Sequence, residues 1–281
     1  MKISSKKRFG QHFLKDTGVI DRIVRHIHPG PGDLILDVGA GHGALSARLA
    51  PSGSRLLAIE VDTDCIPHLK AALAAFPSAT VVVGDILQVN LTELIAYHFQ
   101  AGQKLRFVGN LPYYIATAII EKLLHARLPI EDMIFMVQLE VAERITANPG
   151  SRQYGFLSVD CQHHAAVGLA FTVSPACFVP RPNVISAIVS FRPKHAHPDS
   201  SFERDFETLA KAAFAHRRKT LVNSLKRHPG FGDLSGALLY KAGIDGNRRA
   251  EELSVQEYEH LAEIFGRFFQ AKSENSRETN P

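Results

Sequence analysis

The chain has 281 residues, of which 45% are hydrophobic and 21% are charged, and its formal net charge is +4. This composition supports a sizeable core and predicts one large or two modest domains. No apolar stretch approaches the roughly 18 residues of a membrane span, and the charged start, residues 1–13, is not followed by an apolar run. We therefore expect neither a membrane helix nor a secretory signal.

The three cysteines are Cys65, Cys161 and Cys177, and they form no C-x-x-C pair. Free thiols are typical of a reducing compartment, so we expect a cytoplasmic protein. Cys161 with His163 and His164 raises the alternative of a metal site. Because zinc usually takes three or four ligands and no second pair stands nearby in the sequence, no metal is predicted.

Short apolar runs alternate with helical patterns between residues 34 and 138. The predicted strands are 34–39, 55–61, 80–85, 105–110 and 132–138. The predicted helices between them are 44–50, 64–75, 91–99 and 115–125. Strands that are apolar throughout are buried on both faces, so this alternation predicts an α/β fold with a doubly wound, mostly parallel sheet.

The flanking segments predict a helix at 16–28 before the sheet, and a helix at 155–164 and strands at 167–173 and 185–191 after it. Residues 194–201 form a linker containing proline and serine. Beyond it, residues 202–270 show apolar residues at helical spacing and predict a small, all-helical C-terminal domain. The polar residues 271–281 predict a disordered tail, and residues 1–193 form the first domain.

The first strand runs into a glycine turn, Gly39-Ala40-Gly41-His42-Gly43. Glycines allow a tight turn and close approach of a ligand to the backbone, and the start of the next helix offers N–H groups to an anion. The spacing is G-x-G-x-G, whereas dinucleotide enzymes carry G-x-G-x-x-G. A turn that serves packing alone remains the alternative.

Two acidic residues follow the next strands: Glu60 ends the second and Asp85 the third. In such sheets, ligands bind beyond the carboxyl ends of the strands. Glu60 suits the two hydroxyls of a ribose, and Asp85 can accept a hydrogen bond from an adenine amine. The three strand ends together indicate an adenosine-bearing cofactor without a need for phosphates, and S-adenosylmethionine fits this description.

The fourth strand ends in Asn110-Leu111-Pro112-Tyr113-Tyr114. The exocyclic amine of a nucleobase is a poor nucleophile because its lone pair is delocalised into the ring. The side-chain oxygen of Asn110 and the carbonyl of Leu111 can accept from its two N–H bonds, and Tyr113 offers a face for stacking. This pattern indicates methyl transfer to a base amine assisted by orientation, on a base extruded from its stack; a structural turn is the alternative.

Basic residues cluster at Lys6-Lys7-Arg8 and at Arg217-Arg218-Lys219. Such clusters suit contacts to phosphate groups, and a solvated surface is the alternative.

These motifs together closely resemble the KsgA-type small-subunit rRNA adenine dimethyltransferases, from about residue 8 to residue 268. The matching segments are Phe9-Gly10-Gln11-His12-Phe13-Leu14, the glycine turn, Asn110-Leu111-Pro112-Tyr113, Phe178-Val179-Pro180-Arg181-Pro182 and Arg217-Arg218-Lys219-Thr220-Leu221. Two departures lie in the first strand and its turn: Asp37 stands where the family often has glutamate, and Ala40 where proline is common.

The resemblance implies a Rossmann-like class I methyltransferase domain that uses S-adenosylmethionine and dimethylates two adjacent adenosines in the 3′-terminal hairpin of small-subunit rRNA. The predicted cofactor-binding residues are His12, Leu14, Gly39, Gly41, Glu60, Asp85 and Asn110. The predicted catalytic residues are Asn110, Leu111, Tyr113 and Phe178, with Tyr113 and Phe178 on the two faces of the flipped adenine. From the residues alone, Phe178 would be a core aromatic.

The resemblance further implies that the partner is a small-subunit precursor, with Arg217, Arg218 and Lys219 on its RNA and the enzyme acting as a monomer. The first alternative is a large-subunit rRNA methyltransferase that confers antibiotic resistance. The second is a non-catalytic RNA- or DNA-binding factor on the same fold. A nicotinamide dehydrogenase is disfavoured by the glycine spacing.

Overall fold

The computed structural model describes residues 11–194 and 200–278, with side chains for 11–194 and 201–267. The basic cluster at residues 6–8 and the neighbouring Phe9 and Gly10 lie outside the described residues. The chain divides into two compact units, one of residues 1–143 with 165–193, the other of 144–164 with 194–281. Within the described ranges, no helix is both long and apolar enough to cross a membrane.

The described part of the first unit contains nine strands and most of the shorter helices. Its strands are β1 (Phe13–Leu14), β2 (Asp33–Val38), β3 (Arg55–Glu60), β4 (Ala79–Val83), β5 (Lys104–Asn110), β6 (Ile130–Gln138), β7 (Ala165–Val173), β8 (Phe178–Val179) and β9 (Ser186–Pro193). Its helices are α1 (Thr17–Ile27), α2 (Ser46–Leu49), α3 (Ile66–Leu73), α4 (Leu91–His98) and α5 (Ala116–Leu124), and α6 (Leu139–Ile145) spans the division between the units.

Seven strands form one sheet in the order β4-β3-β2-β5-β6-β9-β7. The first five in this order are parallel, whereas β9 runs antiparallel to both of its neighbours. The reversal of strand order on either side of β2 is the hallmark of a doubly wound sheet, and it opens a crevice at the carboxyl ends of the strands. The predicted doubly wound, mostly parallel sheet is confirmed.

The apolar runs of the sequence explain how the sheet and its helices are packed. All six residues of β2 are buried, as expected for a strand covered on both faces. Helix α1 begins at Asp16, whose carboxylate accepts from the Val19 N–H at 3.0 Å, and it buries Ile20, Ile23 and Ile27 at helical spacing. The predicted helix at 44–50 is shorter than expected, because α2 begins only at Ser46 and passes into a 3₁₀ turn at Ala50.

The second unit is helical in its described part. Its helices are α7 (Phe156–His164), α8 (Ser200–Phe214), α9 (Leu221–Lys226), α10 (Ser235–Lys241) and α11 (Val255–Glu278). Residues 144–164, which the sequence assigned to the first domain, pack here: Tyr154 and Val159 share a core with Phe206 and Tyr258. Helix α11 extends to Glu278, because no glycine or proline interrupts residues 267–278. The predicted disordered tail from residue 271 is therefore helical as far as Glu278.

His163, one of the two histidines considered as metal ligands, lies between two glutamate side chains. The ring nitrogens of His163 lie 2.8 Å from Glu259 Oε1 and 3.2 Å from Glu203 Oε2, and its ring stacks on Phe206. Burial alone would lower the pKa of His163, but the hydrogen bonds and negative charges of both glutamates outweigh this and raise it. The raised pKa favours the protonated ring, which can donate from both nitrogens and form an ion pair with each glutamate.

Candidate active site

A cavity of about 220 Å³ opens at the carboxyl ends of β2, β3 and β5, in the first unit. Nine of the sequence-predicted site residues line it: His12, Leu14, Gly39, Gly41, Glu60, Asp85, Asn110, Leu111 and Tyr113. They come from five separate segments of the chain, and the sheet topology gathers them at one edge.

The glycine turn forms one wall of the cavity and requires its glycines. Gly41 has a φ of +57°, and a Cβ placed there would lie 3.2 Å from two ring carbons of Phe13. Gly39 has a φ of +70°, and its N–H donates to the Ile59 carbonyl at 2.9 Å. These positive φ values and the close ring contact exclude larger side chains, so the backbone itself faces the cavity.

Glu60 connects this turn to the end of β3. One carboxylate oxygen accepts from the Gly41 N–H at 2.7 Å, and the other accepts from Val61 and Asp62 at 2.9 and 2.8 Å. The side chain is 5% exposed, and burial raises its pKa although the three N–H donors oppose that rise. Oε1 has two donors and Oε2 has one, so Oε2 keeps a lone pair that can accept from a ligand hydroxyl.

Asp85 follows β4 in a tight turn on the opposite wall. Its Oδ1 accepts from the Leu87 N–H at 2.9 Å, and its backbone carbonyl accepts from Gln88 and Val89. The structure gives Oδ2 no hydrogen bond from any described residue. This half-buried oxygen is therefore an acceptor available to a ligand amine.

Asn110 ends β5 and is held by the N-terminal segment. Its Nδ2 donates to the carbonyl of His12 at 2.9 Å, which fixes the orientation of the amide and leaves Oδ1 as the acceptor. The N–H of Leu111 donates to Met136 in β6 at 3.1 Å. A side-chain oxygen and a backbone carbonyl at adjacent positions on a rigid strand end can accept from one amine.

Tyr113 presents its ring beside Asn110. The hydroxyl lies 2.7 Å from the Ser186 Oγ, and the ring stacks with that of His12 at a centroid distance of 5.5 Å. Burial raises the pKa of the phenol, with the Ser186 hydrogen bond opposing the rise. The ring is thus neutral and fixed in place, and the next residue, Tyr114, is 57% exposed where it lines the cavity.

Phe178 is the one predicted first-unit site residue that the structure does not bring to the cavity. It is 2% exposed and packs among apolar side chains, as the residues alone had suggested. Strand β8 pairs with β1, with Phe178 opposite Leu14 and Val179 opposite Phe13. Val179 lines the cavity, whereas Phe178 is part of the apolar core of this unit.

Sequence reasoning missed two aromatic residues of the glycine-turn wall. The rings of Phe13 and His42 stack at 4.3 Å, and His42 also lies 4.7 Å from the ring of His68. Burial and the neighbouring His68 lower the pKa of His42, so its imidazole is neutral at pH 7. Phe13 lies inside the Gln11-His12-Phe13-Leu14 motif, but nothing in the sequence indicated its contact with the turn.

The predicted RNA-binding residues lie in the second unit. Arg217 is paired with Glu251 at 3.3 Å and also bonds the Arg152 carbonyl. Arg218 and Lys219 are exposed. Arg217 therefore stabilises its own unit, while the other two cations are accessible to a partner.

The fold is Rossmann-like, and the family model and the curated relatives assign it to the methyltransferases. The family model for ribosomal RNA adenine dimethylases matches residues 3–266, and the chain belongs to this family. It is 39% identical over 265 residues, 92% of this chain and 90% of the relative, to ribosomal RNA small subunit methyltransferase A of Bacillus mycoides (strain KBAB4). The protein of that name from Bacillus anthracis (strain A0248) shows the same identity and coverage.

Two solved structures share the fold over nearly the whole chain. A dimethyladenosine transferase from Plasmodium falciparum superposes with a TM-score of 0.77 at 24% identity, covering 91% of this chain and 98% of that one. The 23S rRNA methyltransferase ErmE superposes with a TM-score of 0.68 at 26% identity, covering 90% and 99%. This chain is accordingly an rRNA adenine dimethyltransferase.

Proposed function

We propose that this enzyme dimethylates the exocyclic amines of two adjacent adenosines in the 3′-terminal hairpin of small-subunit rRNA, during assembly of that subunit. The observation that carries the proposal is Asn110, whose amide is fixed by His12 so that Oδ1 is left to accept from an amine. The relatives named for the small subunit support the choice of substrate.

The cavity fits S-adenosylmethionine as the methyl donor. When bound, this cofactor supplies an electrophilic methyl group on a sulfonium centre. Asp85 would accept from the adenine amine and Glu60 from a ribose hydroxyl, while the backbone of the glycine turn would face the amino-acid end. His12, Leu14 and Asn110 line the same cavity and would complete the cofactor site.

For the target base, the protein's contribution is orientation. Asn110 Oδ1 and the Leu111 carbonyl would accept from the two N–H bonds of the amine and direct its lone pair into the cavity. Tyr113 would stack on one face of the extruded adenine. Phe178 would reach the other face only after leaving its present packing, so we assign it that role on the family resemblance alone.

The three cysteines are thiols rather than disulfides and two of them are buried, which supports a cytoplasmic location, where thiols stay reduced. We further propose that the enzyme acts as a monomer on a precursor of the small subunit.

Mass spectrometry of rRNA tests the proposed substrate. Small subunits lacking the modification, incubated with enzyme and S-adenosylmethionine, should gain four methyl groups as two dimethyladenosines near the 3′ end. Large subunits, treated in the same way, should gain none. Methylation of the large subunit instead would support the resistance-type enzyme, and RNA binding without methylation of either subunit would support a non-catalytic factor.

The exposed cations of the second unit should contribute to subunit binding through phosphate contacts. We expect Arg218→Glu with Lys219→Glu to weaken binding and to flatten its salt dependence, because each lost phosphate contact removes about 0.7–0.9 from the log–log slope. Filter binding of labelled subunits over a range of salt concentrations measures this slope.

A matched control makes the same charge change on the first unit: Lys70→Glu with Lys104→Glu, both at exposed positions. This pair should leave the slope closer to that of the wild type. Neither pair should alter S-adenosylmethionine affinity, because no altered residue lines the cavity. A wild-type slope in the Arg218 and Lys219 variant would show that these residues do not touch phosphate.

A further inference from the structure

The turn after β4 forms the adenine-facing edge of the cavity under the proposed function. Asp85 and the buried Ile86 line the cavity, and Leu87 donates its N–H to the Asp85 carboxylate. The Asp85 carbonyl accepts from amides within the turn, whereas the later carbonyls of the turn accept from a side chain of another element. The shape of the turn, and with it the position of the Asp85 carboxylate, depends on what those carbonyls bind.

One ammonium group binds three of them. Lys122 Nζ lies 2.9 Å from each of the carbonyl oxygens of Ile86, Leu87 and Val89. A lysine ammonium has three N–H bonds, and this turn uses all three. Hydrogen bonds from a charged donor are about twice as strong as neutral ones, and Lys122 is half-buried, so water replaces them poorly.

Lys122 also connects this turn to the other half of the site. It lies on α5, the helix that begins at Ala116, directly after the Asn110-to-Tyr114 motif. Ile119, one helical turn before Lys122 and on the same face, lines the cavity. A single side chain therefore joins the turn that presents Asp85 to the helix that follows the target-base motif.

We propose that Lys122 is a positioning residue for adenine recognition, holding Asp85 and Ile86 at the distance from α5 that the adenine of the cofactor requires. The inference rests on the proposed function, since it takes Asp85 as the acceptor for that adenine. If these hydrogen bonds only stabilised the fold, removing them would lower the stability of the protein and leave ligand affinity unchanged. If Lys122 positions Asp85, removing them also weakens ligand binding in the folded protein.

The test uses Lys122→Met, which keeps the length of the side chain and removes all three donors. Calorimetry with S-adenosylhomocysteine, carried out well below the unfolding temperature of each variant, should show at least tenfold weaker binding than for the wild type. Lys122→Arg, which restores donors, should recover part of the affinity. Lys70→Met, at an exposed position on α3, should bind like the wild type.

Hydrogen exchange gives a second measurement. In Lys122→Met without ligand, the amides of residues 87–89 should exchange faster than in the wild type. In the wild type, S-adenosylhomocysteine should slow exchange in this turn and in α5 together. If Lys122→Met does not fold, this wild-type experiment decides, and protection of the turn without added protection of α5 overturns the proposal.

The outcomes separate the two levels of inference. If the wild type does not bind S-adenosylhomocysteine, the proposed function fails. If the wild type binds it and folded Lys122→Met binds equally well, with a lowered unfolding temperature or not, Lys122 is not a positioning residue and the proposed function stands.

Discussion

Replacing Asn110 by alanine is expected to slow methyl transfer about a hundredfold or more while the protein stays folded. The substitution removes the Oδ1 acceptor that would orient the target amine. Because a misoriented amine reacts slowly, the rate of transfer falls while the packing of the protein is little changed. The side chain is half-buried at the end of β5, so its removal leaves no large cavity. Single-turnover methylation, read by mass spectrometry, measures the rate of transfer directly.

The same substitution also removes the hydrogen bond from Nδ2 to the His12 carbonyl, so a control is required. Asn90→Ala removes a helix-capping hydrogen bond at an exposed position of the same unit, where Asn90 accepts from Glu93. It should destabilise the protein by about 1 kcal/mol and leave the transfer rate unchanged. A loss of rate below about threefold in Asn110→Ala would exclude an essential role for its oxygen.

The strands of the sheet were predictable because burial on both faces leaves a direct record in the sequence. Strand β2 is apolar over most of its length, and its predicted range, 34–39, differs from the observed one by a single residue at each end. The directions of the later strands were not predictable. A sequence pattern marks β7 and β9 as strands, but their antiparallel arrangement beside β6 depends on long-range pairing.

Much of the cavity followed from a single topological rule. Parallel strands end at the same edge, so Gly39, Glu60 and Asn110 had to lie near one another once the strands were assigned. Strands β1 and β8 show where this reasoning stops. A strand of two residues carries no periodicity, so the sequence could not show that Val179 lines the cavity while Phe178 is buried in the core.

Polar side chains with distant partners were invisible for a different reason. Lys122 lies within the predicted helix 115–125 and Arg106 within the predicted strand 105–110, but the sequence did not indicate a role for either. Their partners lie more than 25 residues away along the chain, and no local spacing signals such a contact. The role of a buried cation depends on the groups that surround it in the folded protein.

Arg106 is surrounded by acceptors in the interior of the first unit. It binds Asp132 through two parallel hydrogen bonds of 2.8 and 2.6 Å and Asp33 through one of 3.0 Å. It also donates to the carbonyls of Ile27 and His28 at the end of α1. Its side chain is 7% exposed, so all five contacts form in a region that water barely reaches.

Arg106→Met should therefore lower the free energy of unfolding by about 3–5 kcal/mol, because it leaves the buried Asp33 and the half-buried Asp132 without their cation. Urea unfolding followed by circular dichroism measures this loss. Adding Asp33→Asn and Asp132→Asn should recover much of it, since the penalty comes from uncompensated charge rather than from lost volume. Arg25→Met, at an exposed position of α1, should change stability by no more than about 0.5 kcal/mol. A loss in Arg106→Met as small as that of this control would show that the buried charges are compensated in another way.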